Sequence, residues 1–186
     1  MEHDDDEDDD EDEEDDNLAA EERAQKKKLK EKKKRSVAIP QDNSMNLVYT
    51  STIYVGSNKQ PIVAIFDTGS CNPWVLSQKA MDKANTSGKN VIKGFDPTKS
   101  KTFKDKQRVE KMKSQFGIGY ILGGFARDTV TFGNPKDKNK SIELGNLLFA
   151  YGTESNDNYF QYGALIGLGY PQMCHPGVTP IFDLMI

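Results

Sequence analysis

The clearest structural signal in this chain is IVAIFDTGSCNPWVLS, at residues 62–77. Five apolar residues lead directly into Asp67, a Thr-Gly-Ser turn follows, and a second apolar segment carries the chain's single tryptophan, Trp74. A continuous apolar run of this kind is typical of a strand buried on both faces. A carboxylate at the end of such a strand is costly unless neighbouring groups bind it. The sequence therefore predicts a buried strand that delivers Asp67 into a tight turn.

The turn itself offers hydrogen-bond donors for that carboxylate. The amides of Gly69 and Ser70 and the hydroxyls of Thr68 and Ser70 all follow Asp67 within the same turn. Aspartate side chains commonly accept hydrogen bonds from groups two or three residues further on. Taken alone, the Asp-Thr-Gly triplet fits an ordinary turn between β-strands as well as a catalytic site. The apolar strands on both sides favour the catalytic interpretation.

Charge is divided unevenly along the chain. Residues 2–16 contain fourteen Asp or Glu, and residues 21–35 contain nine Lys or Arg against three Glu. The acidic block has nothing apolar to bury, while residues 18–35 have the composition of a helix. We therefore expect residues 1–45 to form a charged tail, disordered or helical, with a linker. Nucleic-acid binding by the basic block is disfavoured, because the neighbouring acidic block competes for the same cations.

Other sequence features limit the class of protein. No stretch of eighteen apolar residues is present, so no transmembrane helix is expected. The acidic N-terminus is the opposite of a secretory signal, which would place the chain in the cytosol if taken literally. Cys71 and Cys174 could form at most one disulfide, which does not determine the compartment. The glycosylation sequons at Asn85 and Asn139 matter only in a secreted chain.

From residue 46 onward the chain is typical of β-structure. The segment LVYTSTIYV at 47–55 is rich in β-branched and aromatic residues, and the turn signal GSNK at 56–59 follows it. Together with the strand at 61–67 these residues predict a hairpin. Residues 78–93 are polar and lysine-rich, and we expect them to form an exposed loop. Further strands are predicted at 129–133, 142–150 and 164–168.

Three other segments carry local signals. In FGIGYILGG at 116–124, the first two glycines suit a hairpin tip, and no helix pattern follows that would make them a nucleotide-binding loop. In GFDPTKSKTF at 94–103, Asp-Pro predicts a turn between two buried phenylalanines. The segment TPIFDLM at 179–185 begins like a helix, with Thr179 as the N-cap and Pro180 at the first helical position.

Together these segments resemble, in order and spacing, the N-terminal lobe of a pepsin-like aspartic protease. The resemblance extends from about residue 46 to residue 186 and excludes the charged tail. It is carried by FDTGS at 66–70 with Asn72 and Trp74-Val75, FDPTKSKTF at 95–103, FGIG at 116–119 with Gly123 and Asp128-Thr129-Val130, LIGLGYP at 165–171, and TPIFD at 179–183. The implied fold is all-β, with orthogonally packed antiparallel sheets and a flap hairpin.

The resemblance assigns a role to each residue of the candidate site. Asp67 is implied as a catalytic carboxylate, Ser70 as the hydroxyl that holds its outer oxygen, and Thr68 as the link to a partner turn. Gly69 leaves room for the substrate backbone, and Trp74 supports the turn. The implied substrate-binding residues, beside the scissile bond or in the flap above it, are Ile65, Phe116, Gly117 and Leu165.

Three features depart from the family pattern. Phe116 stands where the family usually has a flap tyrosine hydrogen-bonded to the tryptophan, and Trp74 then needs another acceptor or a water. The family's common loop disulfide is absent, because residues 78–93 contain no cysteine. The chain also contains a single Asp-Thr/Ser-Gly triplet, whereas the family uses two.

Peptide hydrolysis as the resemblance implies it uses two carboxylates that share one proton across a water, without metal or cofactor. We therefore expect an aspartic endopeptidase acting on peptide or protein substrates. The resemblance implies a secretory or lysosome-like compartment, whereas the sequence of residues 1–186 has no secretory signal, so the compartment is left open. Three explanations for the single carboxylate are open. The chain is part of a two-lobed protease, which we favour, or two copies join their Asp67 side chains, or the lobe binds peptides or partners without cleaving them.

Overall fold

The computed structural model describes residues 36–84, 92–105, 112–116, 119–155 and 162–185. Of the expected tail and linker at residues 1–45, residues 1–35 lie outside these ranges, and residues 42–44 of the expected linker form the first strand. Within them the chain folds mainly into strands, which confirms the all-β prediction. The strands are β1 Asp42–Ser44, β2 Val48–Val55, β3 Gln60–Asp67, β4 Trp74–Leu76, β5 Lys104–Asp105, β6 Met112–Phe116, β7 Gly119–Gly133, β8 Ser141–Ser155 and β9 Ala164–Gly167. The helix α1 spans Gln78–Ala84, and short 3-10 turns span Pro97–Lys99, Lys138–Lys140, Pro171–Met173 and Phe182–Leu184.

The strands form one sheet that closes on itself. Their order is β1-β2-β3-β9-β4-β8-β7-β5, and β6 pairs with the N-terminal part of β7. The far end of β2 also pairs with β7, with Ile53 opposite Phe132 and Val55 opposite Val130. This second pairing brings distant strands of the path together and gives the lobe a barrel-like closure. Most pairings are antiparallel, but β3–β9 and β4–β8 are parallel.

The predicted hairpin around the 56–59 turn is confirmed as β2 and β3, in register from Thr50–Ile65 to Val55–Gln60. The expectation that the strand before Asp67 is buried on both faces is wrong. Ile62 and Ala64 are buried, whereas Val63 between them is 42% exposed. The reason is that the face of β3 with Ile62 and Ala64 packs into the core, whereas the opposite face meets solvent at Val63 and is only partly covered at Ile65.

Burial on both faces belongs instead to β4 and β9, whose residues are all buried. The core lies in two clusters. The larger cluster is formed by Ile53, Val55, Ile62, Ala64, Val75, Phe95, Ala126, Val130, Phe132, Leu144, Leu147, Phe149, Tyr151, Ala164, Ile166 and Ile181. The smaller cluster, which we call the tryptophan cluster, is formed by Trp74, Leu76, Ala80, Met81, Ile121, Ala150 and Leu165. The turn that follows Asp67 therefore leads into one of the most deeply buried strands of the lobe.

Residues 78–93 do not form the simple exposed loop that their composition predicts. Helix α1 occupies the first part, with Ala80 and Met81 buried in the tryptophan cluster. The Ser77 hydroxyl caps it by accepting from the Ala80 amide at 3.1 Å. Few apolar residues in one short helix make a weak periodic signal, and the contacts of Ala80 and Met81 with distant strands stabilise the helix. Residues 85–91 lie outside the described ranges.

The predicted Asp-Pro turn in the segment at 94–103 is confirmed, although Phe103, expected to be buried, is only partly buried. Asp96 caps the 3-10 turn that begins at Pro97, and its carboxylate accepts from the Thr98 amide. Phe95 is fully buried, and its ring lies 5.8 Å from that of Phe103 between centroids. The two aromatic rings therefore anchor this turn to the core on both sides.

The predicted helix start at Thr179 is wrong. Thr179 is exposed, and the helical geometry is limited to a 3-10 turn at Phe182–Leu184, with Ile181 in the capping position. Ile181 is 1% exposed and belongs to the larger core cluster. The burial of this side chain, rather than an N-cap side chain, determines where the chain turns.

Candidate active site

The candidate site is the turn at the carboxyl end of β3, residues 67–70, which we call the catalytic turn after the role that the family resemblance implies for Asp67. The Asp67 carboxylate is partly buried and accepts a hydrogen bond on each oxygen. The Gly69 amide donates to Oδ1 at 2.8 Å, and the Ser70 hydroxyl donates to Oδ2 at 2.6 Å. Thr68 is exposed at the tip. The local donors therefore hold the carboxylate in one orientation, as the sequence predicted for Gly69 and Ser70.

Strand β9 and the two residues that follow it hold the catalytic turn through backbone contacts. It runs parallel to β3, with Gly167 opposite Asp67 in the register. Beyond the strand, the Leu168 amide donates to the Asp67 carbonyl at 2.7 Å, and the Gly169 amide donates to the Ser70 carbonyl at 2.8 Å. The carbonyls of the first and last residues of the turn are thus held by two consecutive amides.

Gly167 permits this close approach. A Cβ atom added there would lie 2.4 Å from the Cys71 carbonyl carbon and 2.6 Å from its oxygen. Both are backbone atoms, so no side-chain rotation could relieve the contact. The glycine after the apolar pair Leu165-Ile166 is therefore a packing requirement of the catalytic turn.

Trp74 is the residue expected to support the turn. It begins β4, the strand that leaves the turn, and it pairs with Leu165 of β9 and Ala150 of β8. The side chain is 3% exposed within the tryptophan cluster. Both limbs of the turn, β3 and β4, therefore pair with the same strand, β9.

Two of the four predicted substrate-binding residues lie side by side in the described part of the chain. Ile65 and Leu165 are register partners in β3 and β9, and Ile65 packs against the tryptophan cluster that contains Leu165. The expected flap hairpin corresponds to β6 and β7, where Phe116 pairs with Gly119. The side chain of Phe116 and the whole of Gly117 lie outside the described residues.

Two contacts at the site were not anticipated. Cys71 and Cys174 form a disulfide, a pairing that two cysteines in the sequence had left open. One residue further along each segment, the His175 amide donates to Asn72 Oδ1 at 2.8 Å. In the sequence, these contacts could have been suspected only from the position of Cys71 directly after the catalytic turn. The sequence did not show the pairing itself, because Cys174 is 103 residues away.

Two carboxylates elsewhere in the lobe have lowered pKa values. The Thr98 hydroxyl and then the Lys99 ammonium group, both hydrogen-bonded to Asp96, hold the pKa of that carboxyl below its usual value of 3.8. The Lys59 ammonium group lowers the pKa of Glu143 from its usual 4.5 in the same way. Each group therefore stays ionised in the folded state at pH values where the unfolded chain is already taking up protons.

This linkage predicts a loss of stability in acid. A carboxylate with a lowered folded pKa stabilises the fold fully above its unfolded pKa, and this contribution is lost as the pH falls through the folded value. We expect the Asp96→Asn/Glu143→Gln variant to lose less stability than the parent chain between about pH 6 and about pH 3. Urea unfolding at each pH measures the difference. Parallel stability curves for the two proteins would contradict the assignment.

In the described part of the chain, no three His, Cys, Asp or Glu side chains are grouped so that they could hold a metal ion. None of the helices described there has the length and apolar character needed to cross a membrane.

The chain was compared with known protein families and curated proteins. Residues 48–186 match the family model for eukaryotic aspartyl protease. The embryonic pepsinogen of Gallus gallus is 32% identical over 153 residues, which cover 81% of this chain and 37% of the pepsinogen. Pepsin A of Gallus gallus is 32% identical over 79% of this chain and 37% of its own length. Pregnancy-associated glycoprotein 1 of Sus scrofa is 31% identical over 76% of this chain and 34% of its own length.

The chain therefore spans a little over a third of the length of these relatives. The match covers the whole described lobe from β2 onward, including the catalytic turn, the β6–β7 hairpin and β9. On its sequence and its all-β fold, this chain belongs to the pepsin-like, eukaryotic aspartyl protease family.

Proposed function

We propose that this chain supplies one half of an aspartic endopeptidase site, with Asp67 as one of two catalytic carboxylates. The observation that carries the proposal is the geometry of the catalytic turn. Asp67 ends a strand of an aspartyl protease lobe, and a separate donor, Gly69 N or Ser70 Oγ, holds each of its oxygens. A carboxylate held in this way is oriented before substrate arrives, as catalysis by positioned groups requires.

The remaining capacity of the carboxylate suits general acid–base chemistry. Each carboxylate oxygen can accept about two hydrogen bonds, so each Asp67 oxygen keeps one position for a water or a partner carboxyl group. Two carboxyl groups at short distance share one proton and titrate as a pair. The ionised member then takes a proton from the water, while the protonated member donates to the scissile carbonyl.

Further residues complete the proposed half-site. Exposed Thr68 would contact the partner turn, and Gly69, also exposed, would admit the substrate backbone. Ile65 and Leu165 would line one apolar pocket, with Phe116 and Gly117 above it in the flap. Since Leu165 is only 6% exposed, its contribution to such a pocket would come mainly through packing behind Ile65.

One copy of residues 1–186 contains one Asp-Thr-Gly triplet, so the second carboxylate must come from a further lobe or from another copy of the chain. A further lobe is the favoured source, because the relatives are nearly three times as long as the matched segment. A second copy of this chain is the other source. The competing function, a lobe that binds peptides without cleavage, requires no second carboxylate.

A joined form of the protein tests the proposal. It consists of the full chain fused to the C-terminal lobe of the Gallus gallus embryonic pepsinogen, and the unfused chain serves as the control. We expect the joined form to cleave a denatured protein at acid pH and to bind pepstatin, an inhibitor that needs both catalytic turns. If the chain binds peptides in either form but neither cleaves them nor binds pepstatin, it belongs to the binding class.

A further inference from the structure

We propose that the Cys71–Cys174 disulfide and the hydrogen bond between Asn72 and His175 together position the catalytic turn for chemistry. We call these two connections the turn brace. The four residues would act as positioning residues, since they hold Ser70 and Asp67 in place without contacting the substrate. The inference rests on the proposed function of Asp67.

The covalent part of the brace begins directly beside a catalytic contact. Ser70 donates to Asp67 Oδ2, and the next residue, Cys71, is 1% exposed and bonded to Cys174. The two cysteine Cα atoms are 4.9 Å apart. A movement of Cys71 would carry Ser70 with it, and a displacement of about 1 Å is enough to remove a catalytic hydrogen bond from its productive geometry.

The second part of the brace fixes the following residue. Asn72 Oδ1 accepts from the His175 amide at 2.8 Å. The His175 ring packs against Phe125 of β7 with 4.9 Å between ring centroids. The segment at 174–175 is therefore itself anchored to the central sheet, and it can transmit that rigidity to the turn.

The brace complements the contacts made by the segment that follows β9. The amides of Leu168 and Gly169 donate hydrogen bonds to the carbonyls of Asp67 and Ser70. These bonds fix the turn itself at both ends, while the brace fixes the outgoing limb at residues 71 and 72. With the turn and its outgoing limb fixed, the Ser70 hydroxyl has little freedom to leave the carboxylate.

A purely stabilising role for the disulfide is the competing explanation. A crosslink between residues 103 apart restricts the unfolded chain strongly, so its removal lowers stability wherever it lies. The two roles differ in their effect on the folded enzyme. Loss of positioning lowers kcat with little change in KM, whereas loss of stability lowers only the fraction of folded protein.

The enzymatic test uses the joined form. The brace variants are the double variant Cys71→Ala/Cys174→Ala and, separately, Asn72→Ala, and the control is Val55→Ala. Val55 is a buried core residue that pairs with Gln60, at the end of β3 farthest from Asp67. Below their unfolding transitions, we expect the brace variants to lose about tenfold to a hundredfold in kcat with KM nearly unchanged, and Val55→Ala to retain kcat. A dithiol reductant should lower kcat of the parent protein, and reoxidation should restore it. Equal kcat in all variants would overturn the proposal.

A second measurement does not depend on activity. In the unfused full chain, amide hydrogen exchange reports the hydrogen bonds that hold the turn. Reduction of the disulfide, or Asn72→Ala, should speed exchange at Gly69, Leu168 and Gly169 at least about tenfold, while the amides of the β7–β8 ladder keep their rates. Unchanged exchange at all three amides would overturn the brace even if the joined form proved inactive. Faster exchange in the unfused chain, together with an inactive joined form, would instead count against the proposed function alone.

Discussion

Asp67→Asn should abolish acid proteolysis by the joined form, lowering kcat/KM at least about a thousandfold. The asparagine side chain is nearly the same size as that of aspartate and keeps an acceptor oxygen for the backbone N–H of Gly69. The turn should therefore keep its shape. It cannot accept a proton from water or share one with a partner carboxylate. The loss should therefore fall on kcat. Steady-state cleavage of a peptide substrate across acid pH measures it.

Ser70→Ala provides the matched control for that prediction. The variant keeps the Asp67 carboxylate but removes the donor to Oδ2. We expect it to lose about tenfold in kcat, far less than Asp67→Asn, because orientation is weakened while the chemistry remains. Urea unfolding of each variant shows whether the fold is unchanged. Full activity in Asp67→Asn would show that this residue is not catalytic.

Gly167→Ala should destabilise the lobe by about 3 kcal/mol and inactivate the joined form. The added methyl group would lie 2.4 Å from the Cys71 carbonyl carbon, so either β9 or the catalytic turn must move. Movement of β9 would disturb the amides of Leu168 and Gly169, which hold the turn. The variant should therefore lose activity even at temperatures where it is folded. Urea unfolding and kcat measured on the same preparation separate the two effects.

Gly145→Ala is the control for the added methyl group. Gly145 is exposed in β8, and a Cβ atom there would have no neighbour within 4 Å. Its stability should change by less than about 0.5 kcal/mol and its activity should be unchanged. A similar loss of stability in both glycine variants would mean that close packing against the turn is not the cause.

Much of the fold follows from local sequence signals. The β2–β3 hairpin has strand-forming residues on both sides of a strong turn signal, and its structure agrees with them. The Asp96-Pro97 turn between Phe95 and Phe103 likewise depends on chemistry within ten residues. Such elements are predictable because the interactions that determine them connect neighbouring residues.

The errors concern elements that distant contacts stabilise. Helix α1 packs two apolar residues into the tryptophan cluster, and the turn at Phe182–Leu184 is placed by the burial of Ile181. The one-sided burial of β3 has the same origin, since the pairing of the whole sheet decides which face meets solvent. Local propensity carries little information about such contacts.

The order of residues along the chain was enough to identify the family and the candidate carboxylate. Asp67 is oriented by two donors, Gly69 N and Ser70 Oγ, which lie within three residues of it. A short stretch of sequence is therefore enough to predict them. What holds that turn in place became visible only in the folded lobe. Its supports on β9 and at Cys174 are about 100 residues away in the chain, and only the position of β9 between β3 and β4 in the sheet brings them beside Asp67.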